Sequence, residues 1–284
     1  MNYNFVQDLK AIREILDLTQ VELAEQLGID QKTISRNEVG RTEPSSKLLE
    51  DVYSYAFDKK IRINKLKEML WNDNLENGHK LLFHGAKSVI NGELDVHIGR
   101  KNNDLGQGFY AGESYEQAIS FITDFDKSSV YILDFNDDNL VCKRYGVDQE
   151  WMMTIAYYRG VLDSYESHPI INKMIESSRN CDYIIAPIAD NRMFQIINSF
   201  IAGEITDEQC KYCLAATHLG MQYVFKSEKA VKQVKVLESC YISRNEKEYY
   251  KNVRGEETKL GDDKVKLAKI KYRGKGKYID EILM

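Results

Sequence analysis

The chain has 284 residues, of which 43% are hydrophobic and 29% charged, with a formal net charge of −5. That length exceeds one ordinary domain, and the composition is that of a globular protein rather than a disordered or fibrous one. No apolar run approaches the ~18 residues of a membrane-spanning helix. The start, MNYNFVQDLKAIRE, is charged early and lacks the apolar centre of a secretory leader, so the expected location is cytoplasmic.

The first sixty residues read as helix after helix. Leu9, Ile12 and Leu16 make one apolar stripe. Thr19 followed by Glu22 is a capping box for TQVELAEQLG, Gly28 ends that helix, and Asp30 caps IDQKTISRNEVG. Leu23, Ala24, Leu27 and Ile34 would fill a small core. Residues 1–60 hold 8 Lys/Arg against 11 Asp/Glu, which counts against strong DNA binding by charge alone. Residues 59–80 contain an amphipathic helix from about Ile63 to Trp71, and NDNLENG then reads as a connector.

Beyond it the pattern changes to short β-rich runs: KLLFHGAK, SSVYILDF, CDYIIAPIA, MQYVFKS and VKVLES. Helical stretches lie between them: SYEQAISFITDF, WMMTIAYYRGVLD and RMFQIINSFIAG. Strands and helices mix without strict alternation, which predicts an α+β domain. The stretch DLGQGFYAGESYEQA sets Gly106 and Gly108 directly before Phe109 and Tyr110, so the backbone must bend there or be approached closely. APIADNRMFQ places Arg192 just past an apolar strand, where it would hold a pyrophosphate or acceptor, unless the segment is simply a helix start capped by Asp190 or Asn191. Cysteines stand at 142, 181, 210, 213 and 240, an odd and sparse set that suits free thiols. Cys210 and Cys213 fall on one face of a helix capped by Thr206, and no second ligand pair lies nearby, so no metal is expected. The tail has five Lys/Arg between Lys269 and Lys277, with Gly274 and Gly276 suggesting a basic loop.

TQVELAEQLGI, ISRNEVGR and Pro44 resemble the lambda-repressor-like helix-turn-helix family over about residues 6–58. The resemblance implies a recognition helix whose groove side carries Gln31, Lys32, Thr33, Ser35 and Arg36, with Gln20 on phosphate and operator DNA as partner. Asn37 departs from the family, which often has an apolar residue before the acidic one. Such modules pair on two-fold DNA sites, which makes a homodimer an expectation.

LLFHGAKS, GQGFYAGESYEQA and LGMQYVFKSEKA together resemble the His–Tyr–Glu branch of the ADP-ribosyltransferase superfamily, over about residues 80–240. They also look like a little-characterised bacterial group of such domains behind helix-turn-helix modules. The resemblance implies a split-sheet α+β fold and NAD+ as substrate, with catalytic His84, Tyr110 and Gln222. Binding roles would fall to Gly85, Gly108, Ser114 and Arg192 as well. His84 would bond a ribose hydroxyl, Tyr110 would stack on the cationic nicotinamide ring, and the glycines would leave room for the dinucleotide. Gln222 stands where many members have glutamate. A carboxylate ~5 Å from the sugar cation contributes about 3 kcal/mol at an effective dielectric of ~20, roughly a hundredfold in rate. Glutamine can hold the ribose but cannot act as a base, so single transfer is expected over chain elongation.

The expected organisation is multi-domain: an all-α helix-turn-helix domain (1–60), a helical linker (61–79), an ADP-ribosyltransferase-like domain (80–240) and a basic extension (241–284). The expected activity is mono-ADP-ribosyl transfer to a protein or nucleic acid, in a toxin-like or phage-defence enzyme that represses its own promoter, with a separate antitoxin as a candidate partner. The competing expectations are a regulator that senses NAD+ without turnover and an interaction module with a degenerate pocket.

Overall fold

A computed structural model describes residues 3–165, 167–217 and 220–284. The helical start contains α1 (Phe5–Ile15), α2 (Gln20–Leu27), α3 (Gln31–Glu38), α4 (Ser46–Asp58) and α5 (Ile63–Asp73). There follow β1 (Lys80–Ala86), β2 (Phe109–Gly112), α6 (Tyr115–Ser120), β3 (Ser129–Phe135), β4 (Cys142–Arg144), α7 (Gln149–Tyr158), α8 (Pro169–Arg179) and β5 (Tyr183–Pro187). The chain continues with α9 (Asn191–Ile201), α10 (Asp207–Ala215), β6 (Met221–Phe225), α11 (Glu228–Val231), β7 (Val234–Cys240), α12 (Arg244–Lys271) and α13 (Ile279–Ile282). An all-α helix-turn-helix region is thus followed by a mixed β-sheet with flanking helices.

The described chain divides into two compact units. The first runs from the N-terminus to Asn91 and adds Ser114–Asp134 and Lys235–Val253. It holds the five N-terminal helices together with strands ordered β1-β3-β7. One core is built on Leu9, Ile12, Leu23, Ile34, Val52 and Tyr53, with Tyr241 packed against it. A second core, around Phe83, Tyr115, Ile119 and Ile132, lies where α6 covers β1. Gly85 is required by that cover: a Cβ there would lie 2.4 Å from the Ala118 carbonyl oxygen.

The helices and strands of this unit are joined by buried polar contacts carried on α5. Lys67 Nζ lies 2.5 Å from Asp8 of α1 and 2.7 Å from Glu238 of β7. Asn64 Nδ2 donates to Glu246 at 3.1 Å and to the Tyr241 carbonyl at 2.9 Å. Tyr115 donates to the other oxygen of Glu246 at 2.9 Å. The linker helix read from the sequence is therefore part of a packed unit.

The second unit comprises Gly92–Glu113, Phe135–Val234 and Arg254–Met284. Its strands are ordered β4-β5-β6-β2; β4 runs parallel to β5, and β5–β6 and β6–β2 are antiparallel. One sheet face packs on a large core with Trp151, Met152, Ile155, Ile196, Ile197 and Phe200 from α7 and α9. The other carries an aromatic layer in which Phe225 lies 4.8 Å from Phe135 and 6.0 Å from Phe109. Cys210 and Cys213 are buried on α10, as the helical reading required, with their thiols against the Ile196 and Val265 carbonyls. The tail is mostly helix: α12 spans 28 residues. The loop after it is tied back by Thr206 donating to the Lys275 carbonyl and by Lys277 N–H donating to Asp207 at 2.7 Å.

Candidate functional site

The helix-turn-helix forms from its caps. Thr19 N–H donates to Glu22 at 2.8 Å and Glu22 N–H donates back to Thr19 Oγ1 at 3.2 Å. Gly28 closes α2 in the left-handed region at φ +65°, where a side chain would be strained. Asp30 then accepts from Lys32 N–H at 2.7 Å and starts α3. Ile34 is fully buried and fixes which side of α3 faces away. Lys32 and Arg36 are exposed, and Gln31, Thr33 and Ser35 are half-buried. Gln20 and Gln31 are tied to each other: Gln31 Nε2 donates to Gln20 Oε1 at 2.8 Å, and Gln20 Nε2 donates to Glu38 at 2.7 Å. Arg13 completes the chain at 2.7 Å from Glu38. The two glutamines thereby lock the starts of α2 and α3 together. Asn37 is buried with its Oδ1 unpaired, so an apolar residue there would avoid an unsatisfied polar atom.

In the second unit, β2 and β6 are in register with Tyr110 opposite Val224 and Gly112 opposite Gln222. Directly opposed residues of an antiparallel pair share a face, so Tyr110 and Gln222 are diagonal neighbours on one side of the sheet. Asp104, in the loop before β2, lies beside both. Its carboxylate accepts from Arg159 Nε at 2.8 Å and from Arg159 Nη2, and the Gln222 amide and the Ala189 N–H beside it favour its charged form. Burial pushes the Asp104 carboxyl upward and Arg159 opposes that push. Arg159 is held in place over the Phe194 ring, 4.6 Å from its centroid. Gln222 is buried, and its Nε2 also donates to the Pro187 carbonyl at 3.2 Å.

Tyr110 Oη donates to the Gly106 carbonyl at 2.6 Å and accepts from Leu105 N–H at 3.2 Å. Burial first, and Asp104 second, push its pKa well above the usual tyrosine value. Lys226 Nζ donates to the Leu105 carbonyl at 2.6 Å, and burial lowers its pKa to about 8. The glycine loop is therefore fastened by Asp104, Tyr110 and Lys226. Its glycines answer to protein neighbours. A Cβ at Gly106, where φ is +80°, would lie 2.7 Å from the Tyr158 ring, and one at Gly108 would lie 2.6 Å from the Phe225 carbonyl oxygen. The space expected to admit a nucleotide at Gly108 is occupied by strand β6 on that side.

His84 is half-buried on β1 in the first unit, its ring 6.5 Å from that of Tyr131. Ser114 is the N-cap of α6 and accepts from Gln117 N–H at 3.2 Å. Asp190 caps α9, and Arg192 is turned toward α12, donating to the Thr258 carbonyl at 2.8 Å and pairing with Asp262 at 3.0 Å. Sequence reasoning missed Asp104, Arg159 and Lys226. A signal for Arg159 did exist, as the one charge inside the apolar run WMMTIAYYRGVL. Nothing linked it to Asp104, 55 residues earlier.

Comparison with known proteins matches residues 9–52 to a helix-turn-helix family model. No curated protein and no solved structure matches the chain. A second family model, Protein of unknown function (DUF3990), matches residues 81–236, more than half of the chain. Behind its helix-turn-helix the chain carries a separate downstream domain, and by that domain it belongs to the DUF3990 family.

Proposed function

We propose that the protein is an NAD+-dependent mono-ADP-ribosyltransferase whose helix-turn-helix binds its own operator. The observation that carries the reading is the placement of Tyr110 and Gln222 on one face of adjacent strands, with the Asp104 carboxylate beside the Gln222 amide. The resemblance of residues 80–240 to the His–Tyr–Glu branch supplies the chemistry. NAD+ is the substrate: the bond between nicotinamide and C1′ of the ribose breaks, and its electron pair leaves with nicotinamide as a neutral molecule. A lone pair of the macromolecular acceptor forms the new bond to C1′, and the acceptor's proton passes to solvent. Tyr110 offers its ring to the nicotinamide, and Gln222 orients the ribose. Asp104 places negative charge beside the position where the branch has glutamate, which offsets part of what the glutamine lacks. Arg159 shares that charge and reduces the compensation.

The test is incubation of the full chain with NAD+ labelled on its adenylate phosphate, together with cell lysate. Label is expected on protein or nucleic acid, and Tyr110→Ala and Gln222→Ala are each expected to lower it by about a hundredfold. A second reading, a regulator that binds NAD+ without turnover, is favoured by the internal commitments of Tyr110 Oη and of the Gln222 amide. Calorimetric binding without label would select it, and no binding at millimolar NAD+ would sink both. For the helix-turn-helix, a gel shift on the gene's upstream DNA at low salt is expected. Arg36→Ala, exposed on α3, is expected to cost about 1–3 kcal/mol of specific binding; the absence of any shift would remove the operator claim.

A further inference from the structure

The second half of α12 presents apolar side chains on both sides. One side faces the core through Val265 and Ala268. The other leaves Leu260, Leu267 and Ile270 exposed at 60%, 67% and 74%. At 100° per residue, Glu256, Leu260, Asp263, Lys264, Leu267, Ile270 and Lys271 share that outward face. Three large aliphatic residues in line on a solvent face are unusual for a helix whose inner side is already packed.

The order of charges indicates what covers them. The acids of the stripe come first and the bases last, with Leu260 and Leu267 spaced about its centre. An antiparallel second copy of the same helix, with Leu260 opposite Leu267, sets Asp263 opposite Lys264 and Glu256 opposite Lys271. Two-fold symmetry makes each of these pairings twice. A parallel arrangement would align like with like and forfeit every one of them. Asp263 bonds Lys266 of its own helix at 3.2 Å, but both side chains are 74% exposed and free to exchange partners. Arg192 draws Asp262 to the inner side, so it does not enter the seam.

We infer that this face of α12 is a homodimer interface, formed by antiparallel pairing of residues 256–271 from two copies of the chain. The interface is independent of any enzymatic activity. Its small size sets a reversible dimer, and its charge pairs make it weaken as salt is raised.

Sedimentation velocity of the full chain across the micromolar range tests it, with circular dichroism to verify folding of each variant. Every substituted side chain is exposed, so the fold is expected to survive. The wild type is expected to shift from monomer to dimer with concentration. Leu260→Glu combined with Leu267→Glu is expected to raise the dissociation constant by about a hundredfold. Glu256→Lys alone sets Lys against Lys and is expected to weaken the dimer about tenfold, and adding Lys271→Glu is expected to restore it with the charges exchanged. A monomer at every concentration overturns the proposal, as does a dimer indifferent to the leucine substitutions. A Glu256→Lys defect that Lys271→Glu fails to rescue overturns the antiparallel register.

Discussion

Lys67→Met is expected to destabilise the protein by about 3–5 kcal/mol, the usual cost of removing one member of a buried ion pair. The Lys67 ammonium is shared between Asp8 and Glu238, and the three side chains are 7%, 6% and 10% exposed. Tyr53 also donates to Asp8, and Trp71 Nε1 donates to Glu238 at 3.0 Å. Burial alone would lower the lysine's pKa, but the anionic groups around it, Asp8 and Glu238 among them, raise it by more, so it stays charged. Removing the ammonium leaves two carboxylates facing each other out of water. They must then take up protons or draw water into the core, and either response costs stability. Urea unfolding at neutral pH measures the loss. Adding Asp8→Asn and Glu238→Gln to the methionine variant is expected to recover much of it, because the penalty comes from stranded charge rather than from lost packing. A Lys67→Met protein as stable as the wild type would mean that water already reaches this cluster.

Glu246→Gln is expected to change the pH dependence of stability rather than simply lower stability. Burial raises the Glu246 carboxyl to about 7 from the ordinary glutamate value of 4.5, although the hydrogen bonds from Tyr115 and Asn64 hold it down. Between those two values the folded state binds more protons than the unfolded state. Stability due to this group is therefore full below pH 4.5, falls as the pH rises to about 7, and is level above it. The drop across that window is about 3 kcal/mol. The glutamine variant lacks this slope. It can accept from Asn64 and donate to Tyr115 without carrying charge, so it is expected to match the wild type near pH 5 and exceed it near pH 8. Denaturant midpoints at the two pH values decide the matter: parallel shifts in both proteins would show that Glu246 does not carry the slope.

Local rules made much of the fold legible. Thr19 with Glu22, Gly28, Asp30 and Thr206 act at the helix ends where their side chains or φ angles require them. The five apolar runs read as strands are β1, β3, β5, β6 and β7. Two strands escaped notice because they are short: β2 has four residues, two of them Ala111 and Gly112, and β4 has three. Helix α12 was hidden by its composition. Gly255 and Gly261 interrupt it, and a Cβ at Gly261 would lie 2.5 Å from the Arg192 guanidinium, the movable end of a long side chain. The candidate site divides the same way. Tyr110 and Gln222 follow from the family resemblance of their segments, and the pairing of β2 with β6 places them on one face. Asp104 and Arg159 meet only through folding, and nothing local announces a contact across 55 residues. Close neighbours within the protein, Tyr158 and the β6 backbone, account for Gly106 and Gly108.

Because α5 reaches from Asp8 to Glu238 and from Asn64 to Glu246, the exposed 74–78 stretch joins pieces that are already bolted together. A protease that clipped it would yield a nicked molecule whose fragments stay associated until denaturant separates them. Trimming the gene after residue 79 would expose the flank that Tyr241 and Glu238 normally cover, so the severed head would be expected to be sticky and poorly behaved.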